Sequence, residues 1–203
     1  MKKIFCIIGR SASGKTSLAK TIAKELNLNI VKSYTTRPMC PGETEYNSDH
    51  YFVNEDEVWL YRNQIVTKTK INGYQYFTTL DMLLKSDIYV IDPNGYRTLS
   101  KNLFKLHVKV ELIPIYVKVP KVTLYERACR RGDSLSDYKM RYESEDMQFK
   151  EFEHSLVRTG TSVIHNIDFY RSVERLRKII LSQSSLKRKI QYWCKKLKRK
   201  GSR

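Results

Sequence analysis

Eight residues near the start of the chain, Gly9-Arg10-Ser11-Ala12-Ser13-Gly14-Lys15-Thr16, have the types and spacing needed to hold a polyphosphate. They fit G-x-x-x-x-G-K-[ST], the P-loop pattern. Gly9 and Gly14 admit backbone conformations that a Cβ would hinder. The loop amides can then converge on an anion as a nest. A helix opening near Lys15 would add the positive end of its dipole. Lys15 can reach β- and γ-phosphates, and Thr16 can offer its hydroxyl to Mg²⁺. The same residues could form a plain Gly/Ser-rich turn, so the flanking elements have to decide.

Those elements have the required order. Residues 3–8 read as a short buried strand. After the loop, Leu18, Ile22 and Leu26 recur at helical spacing, with Ala19 and Ala23 beside them. A second strand candidate, 87–92, ends on Asp92, at the edge that faces the ligand crevice in an α/β sheet. There Asp92 could orient Mg²⁺ through water, accept from a substrate base, or cap the turn at Pro93-Asn94-Gly95. Residues 112–119 and 162–165 are two more strand candidates. Strands spaced this way, with helical stretches between, predict a parallel, doubly wound sheet.

The bulk numbers agree with one such domain. The chain has 203 residues, 41% of them hydrophobic, enough for a single α/β core. The apolar run 4–8 is too short to span a bilayer and has no cleavage-site pattern behind it. Cys6, Cys40, Cys129 and Cys194 are scattered without a C-x-x-C pair, which argues against a zinc site or disulfide framework and for the reducing cytoplasm. The net charge is +17, and residues 186–203 carry nine basic residues and no acid, which leaves +8 for the remainder. A moderately basic body suits a protein that handles polyanions.

Further segments sharpen the reading. Residues 33–43 run S-Y-T-T-R-P-M-C-P-G-E, with D-H-Y-F at 49–52, I-D-P-N-G at 91–95, and L-Y-E-R-A-C-R-R-G-D-S at 124–134 followed by Arg141. With the P-loop, and in this order, they make the chain resemble the guanylate kinase family of nucleoside monophosphate kinases over residues 1 to about 182. Val163-Ile164-His165-Asn166 is similar to the family's strand ending in an asparagine near the adenine. The resemblance implies a three-layer α/β P-loop kinase with a parallel central sheet. It further implies an acceptor-binding insertion at about 33–81 and a helical lid at about 126–150, all within a domain spanning 1–185. It implies ATP as donor, a nucleoside monophosphate as acceptor, and Mg²⁺.

Residue roles follow from the same resemblance. The P-loop residues and Asn166 would bind ATP, with Thr16 on the metal. Ser33, Arg37 and Tyr76 would hold the acceptor phosphate, while Thr78 and Asp92 would contact the base. Arg127, Arg131 and Arg141 match lid arginines that, with Lys15, would act in transfer; alone they could be solvated surface charges. The acceptor phosphate has a second pKa near ~6 and is mostly a dianion at neutral pH. No strong base is needed, which suits the absence of a triad or paired-carboxylate pattern.

The acceptor half departs from the family. Cys40 stands where a second arginine is expected, and His50 where a phosphate-binding tyrosine is expected, with Tyr51 available if the local alignment slips. Thr67 replaces a glutamate that reads guanine. A charge-assisted hydrogen bond contributes about 1.5–3 kcal/mol, so losing the arginine weakens acceptor binding roughly 10- to 100-fold unless His50, Lys68 or Lys70 compensates. GMP or dGMP remains the leading acceptor, with the guanine preference weakened or changed. Two alternatives stand beside it: a P-loop kinase of another nucleotide or small phosphorylated acceptor, and a catalytically silent binding module. In the tail, Leu186, Ile190, Trp193 and Leu197 share one helical face against lysine and arginine. Such a helix could meet nucleic acid, an anionic membrane or an acidic protein, or pack on the kinase body.

Overall fold

The computed structural model describes residues 1–40, 42–71 and 73–183. The expected amphipathic tail at 186–203 lies outside the described residues. Four parallel strands form the main sheet: β1 (Lys2–Ile8), β6 (Ile88–Ile91), β7 (Val110–Lys118) and β8 (Ser162–His165), in the order β6-β1-β7-β8. Alternation along β1 builds three layers, because successive side chains of a strand point to opposite faces. Phe5 and Ile7 pack with Leu18 and Ile22 of α1 (Lys15–Leu26) and Leu176 and Ile180 of α6 (Phe169–Gln183). Ile4, Cys6 and Ile8 pack on the other face with Leu99 and Leu103 of α3 (Pro93–Lys105) and Phe149 and Phe152 of α5 (Leu135–Ser155). A strand buried on both faces has no polar side to show, which is why β1 reads as one apolar run.

A second sheet lies between the first helix and β6. Its order is β3-β2-β5-β4, from β2 (Ser33–Thr35), β3 (His50–Phe52), β4 (Ile65–Ile71) and β5 (Tyr74–Thr79). β2 and β3 are parallel, while β5 runs antiparallel to both β2 and β4. Helix α2 (Leu80–Leu84) returns the chain to the main sheet, its first turn capped by the Thr79 hydroxyl. Two helices follow β7: α4 (Lys121–Arg130) and then α5, joined by a turn at Gly132 with φ +92. Leu124, Ala128 and Tyr138 bury a small cluster between them, against Ala12 of the phosphate loop. The 21-residue α5 thus begins over that loop and ends in the main core. No helix among the described residues is long and apolar enough to cross a membrane.

Candidate active site

The loop at the C-terminal end of β1 has the backbone its sequence demands. Gly14 sits at φ +83 as the N-cap of α1, and an added Cβ there would lie 2.6 Å from Asn166 Nδ2. Ala12 also takes a left-handed φ of 61, at a cost of about 1 kcal/mol for a residue with a Cβ. At Gly9 a Cβ would meet Ser13 Oγ at 2.6 Å and the Val117 carbonyl at 2.9 Å. Behind the loop, buried Asn166 donates from Nδ2 to the Ser13 carbonyl at 2.7 Å. Arg127 donates to the carbonyls of Asn166 at 2.8 Å and Ser13 at 3.3 Å. Asn166 and Arg127, 39 residues apart in the chain, therefore brace one carbonyl and keep the loop amides turned forward.

Lys15 Nζ bonds to the Arg10 carbonyl at 3.3 Å. Burial lowers its pKa, Glu145 opposes that shift, Arg131 adds to it and Asp92 again opposes it. On one side of Lys15 is a cavity of about 290 Å³ lined by Gly14, Thr16, Arg127 and Arg131. Arg131 and Arg141 both reach Asp133, Arg141 at 3.5 Å, so one carboxylate holds both arginines. That proximity holds the Asp133 carboxyl below its usual range.

On the other side of Lys15 is a cavity of about 310 Å³. Ser33, His50, Tyr76 and Asp92 line it, with Thr67, Thr69 and Tyr89. Ser33 Oγ lies 2.9 Å from His50 Nδ1, and the His50 ring meets Tyr76 edge-on at 5.3 Å. Burial first, and then the Arg37 charge, lowers the His50 pKa. Asp92 has two duties at once: its Oδ1 accepts from Gly95 N at 2.9 Å, capping α3, and its side chain lines the cavity.

Several expected positions fall elsewhere. Thr78 is fully buried, its hydroxyl 2.7 Å from that of Tyr89, and it does not line the cavity; Thr67 does, through the alternate face of β4. Lys68 and Lys70 are exposed on the face opposite Thr67 and Thr69, so neither can replace the missing arginine, because strand alternation turns them away. Tyr51 packs outward against Tyr34, with the Lys32 ammonium 4.4 Å from its ring centroid. Arg37 is gripped bidentately by Glu43 at 2.7 and 2.8 Å, over the Phe52 ring, and lines a third cavity beside the second. Its Nη1 is 3.5 Å from Cys40 Sγ. The Glu43 carboxylate also accepts from Cys40 N and the Ser48 hydroxyl; the Arg37 bonds first, and then these two, push its pKa far down.

Two acids that sequence reasoning left unassigned contact the loop directly. Glu145 accepts from Ser11 N at 3.0 Å and from Ser11 Oγ at 2.7 Å. Asp146 accepts from Arg10 Nη2 at 3.0 Å, and the guanidinium lies 4.6 Å from the Tyr142 ring and 4.9 Å from that of Phe149. The only sequence hint was position: Glu145 is one helical turn after Arg141, so it shares that arginine's face.

No protein-family model matches the chain. Curated relatives do. A guanylate kinase of Thermotoga maritima is 30% identical over 169 residues, covering 76% of this chain and 78% of that protein. A guanylate kinase of Chlamydia felis is 28% identical over 196 residues, 89% of this chain and 88% of that protein. The chain belongs to the guanylate kinase family. The crystal structure of guanylate kinase from Anaplasma phagocytophilum shares the fold, with a TM-score of 0.63 at 19% identity over 91% of this chain and 88% of that one. In this chain the phosphate-loop sequence stands beside a cavity lined by Ser33, His50, Thr67, Tyr76 and Asp92. The expected α/β P-loop kinase fold is the one observed.

Proposed function

We propose that the protein is an ATP-dependent nucleoside monophosphate kinase, with GMP or dGMP as the leading acceptor. One observation carries the reading: Lys15 lies between two cavities, one formed by the phosphate loop and lid arginines, the other by the second sheet. A donor triphosphate on the loop and an acceptor phosphate near Ser33, His50 and Tyr76 would meet at the Lys15 ammonium. The work is then positioning and charge stabilisation, with little covalent chemistry left to the protein. Arg127, Arg131 and Arg141 supply further cations, and Asp133 keeps the last two ready. Arg37, already oriented by Glu43, would take the acceptor phosphate on its remaining surface. Asp92 would read the base from the cavity floor.

Among the described residues no three His, Cys, Asp or Glu side chains are arranged to hold a metal. That fits Mg²⁺, which keeps water and phosphate oxygens and needs only one or two protein donors. The exposed Thr16 hydroxyl at the start of α1, next to Lys15, is such a donor. Bound there with ATP, the ion would neutralise charge on the β- and γ-phosphates.

A second acceptor reading rests on Thr67. A pocket that reads its ligand by hydrogen bonds owes its selectivity to those groups, and Thr67 has spent its hydroxyl on the Gly95 carbonyl at 3.4 Å. A different base, pyrimidine included, fits that change. The test is a coupled ADP-release assay with ATP and Mg²⁺ across GMP, dGMP, AMP, CMP, UMP and dTMP, with a Lys15→Ala control. Turnover with GMP or dGMP, lost in the control, supports the leading reading. Turnover with another monophosphate moves it to the second. No turnover with any of them, despite ATP binding, would move the reading to an unusual acceptor or to a binding module.

A further inference from the structure

Ser11 and Lys15 both line the acceptor cavity, and Lys15 alone reaches the donor cavity as well. A phosphoryl group moving from donor to acceptor would pass Lys15 and enter the cavity that Ser11 lines. In the structure a carboxylate lies against Ser11. Glu145 takes the Ser11 N–H on one oxygen and the Ser11 hydroxyl on the other, at 3.0 and 2.7 Å. Two donors on one residue, accepted by two oxygens of one anion, make a seat for a charged group.

We infer that Glu145 fills the phosphate seat that the Ser11 N–H and hydroxyl form in the loop, as an internal mimic that holds the seat until the donor displaces it. The inference rests on the kinase reading above. In the step it serves, an acceptor phosphate oxygen forms a bond to the γ-phosphorus. The bond from that phosphorus to the β–γ bridging oxygen breaks, and its electron pair leaves with ADP. Ser11 donates hydrogen bonds throughout and gives up no proton.

The fold lets Glu145 leave without freeing α5. Asp146 keeps its bond to Arg10, and Tyr142 and Phe149 keep their rings against that guanidinium. Lys15 loses one anionic neighbour in Glu145 and gains another in the triphosphate. With the carboxylate in place, a γ-phosphate would face a like charge across the same two donors.

The experiment measures ATP–Mg²⁺ dissociation by calorimetry, and turnover with the best acceptor, for wild type, Glu145→Ala, Glu145→Gln and Ser11→Ala. Glu145→Ala is expected to bind ATP about ten-fold more tightly, the effect of one competing charge-assisted bond. Glu145→Gln should tighten binding less, because its amide still reaches Ser11, and it serves if the alanine variant fails to fold. Ser11→Ala should lower kcat at least about ten-fold with the acceptor KM little changed. A merely structural contact would instead lose stability and leave ATP binding equal or weaker in both Glu145 variants, which overturns the inference while wild-type ATP binding leaves the kinase reading standing. Failure of every protein, wild type included, to bind ATP would overturn both.

Discussion

The phosphate loop presents backbone amides around a left-handed Gly14, whereas the cavity beside the second sheet is lined by side chains. This difference explains what each half tolerates. Amides are present whatever the residue, so the loop needs only glycine where φ is positive or space is missing, plus Lys15 and Thr16. In the proposed acceptor half the chemistry lies in the side chains of Ser33, Arg37, His50, Thr67, Tyr76 and Asp92, of which Asp92 also caps α3. Under the proposed function, the donor half is thus set by geometry and the acceptor half by composition. Change in substrate preference is easier in the second.

The contrast can be broken hardest at Lys15. Lys15→Ala should lower turnover by roughly two to three orders of magnitude, the scale of losing one preorganised cation or donor, while calorimetry shows acceptor binding nearly intact. Parallel loss of acceptor binding would mean that the two halves are not separable. Arg37→Ala comes next. Removing it should raise acceptor KM about 10- to 100-fold and leave the ATP KM alone. An unchanged acceptor KM would show that the Glu43 grip has taken Arg37 out of the site altogether.

Smaller effects sharpen the comparison. Cys40→Arg should tighten acceptor binding by about ten-fold, read as a lower acceptor KM at constant ATP KM. No gain would mean that Glu43 absorbs the new cation as it does Arg37. The weakest effect is on stability. His50 has a lowered pKa in the folded protein because it is buried near Arg37. The unfolded chain therefore binds the extra proton first. Stability from this group is present above the ordinary histidine range near ~6.5 and falls as pH drops through it. Denaturant midpoints of wild type should decline from pH 7 to 5.5 more steeply than those of His50→Gln.

How legible each half was follows from the same difference. The phosphate loop, β1 and α1 could be read because a motif, an apolar run and a helical period coincide in one stretch. The main-sheet strands were visible as short apolar runs at 87–92, 112–119 and 162–165, against the observed 88–91, 110–118 and 162–165, since buried parallel strands carry little polar alternation. The second sheet was harder: β2 and β3 have three residues each, and their burial depends on partners distant in sequence. Thr78 and Lys68 show the same limit in the site. A motif gives a residue's identity, but the face of β4 or β5 it occupies is set by register. Glu145 was invisible for another reason. Its partner Ser11 lies 134 residues away, and only the fold brings the two together.

Helix α5 has one more consequence. Its far end is anchored by Phe149 and Phe152 in the main core, while Arg141 lies toward its N-terminal end, where Tyr138 packs with α4. From Phe152 back to Arg141 is about 16 Å along the axis. The helix is therefore a lever with its fulcrum in the hydrophobic core. A tilt of roughly 10° at the fulcrum swings Arg141 by about 3 Å, one hydrogen-bond length. Substituting a smaller residue at Phe152, far from any nucleotide, would loosen that fulcrum and blunt the stroke of an arginine three turns away.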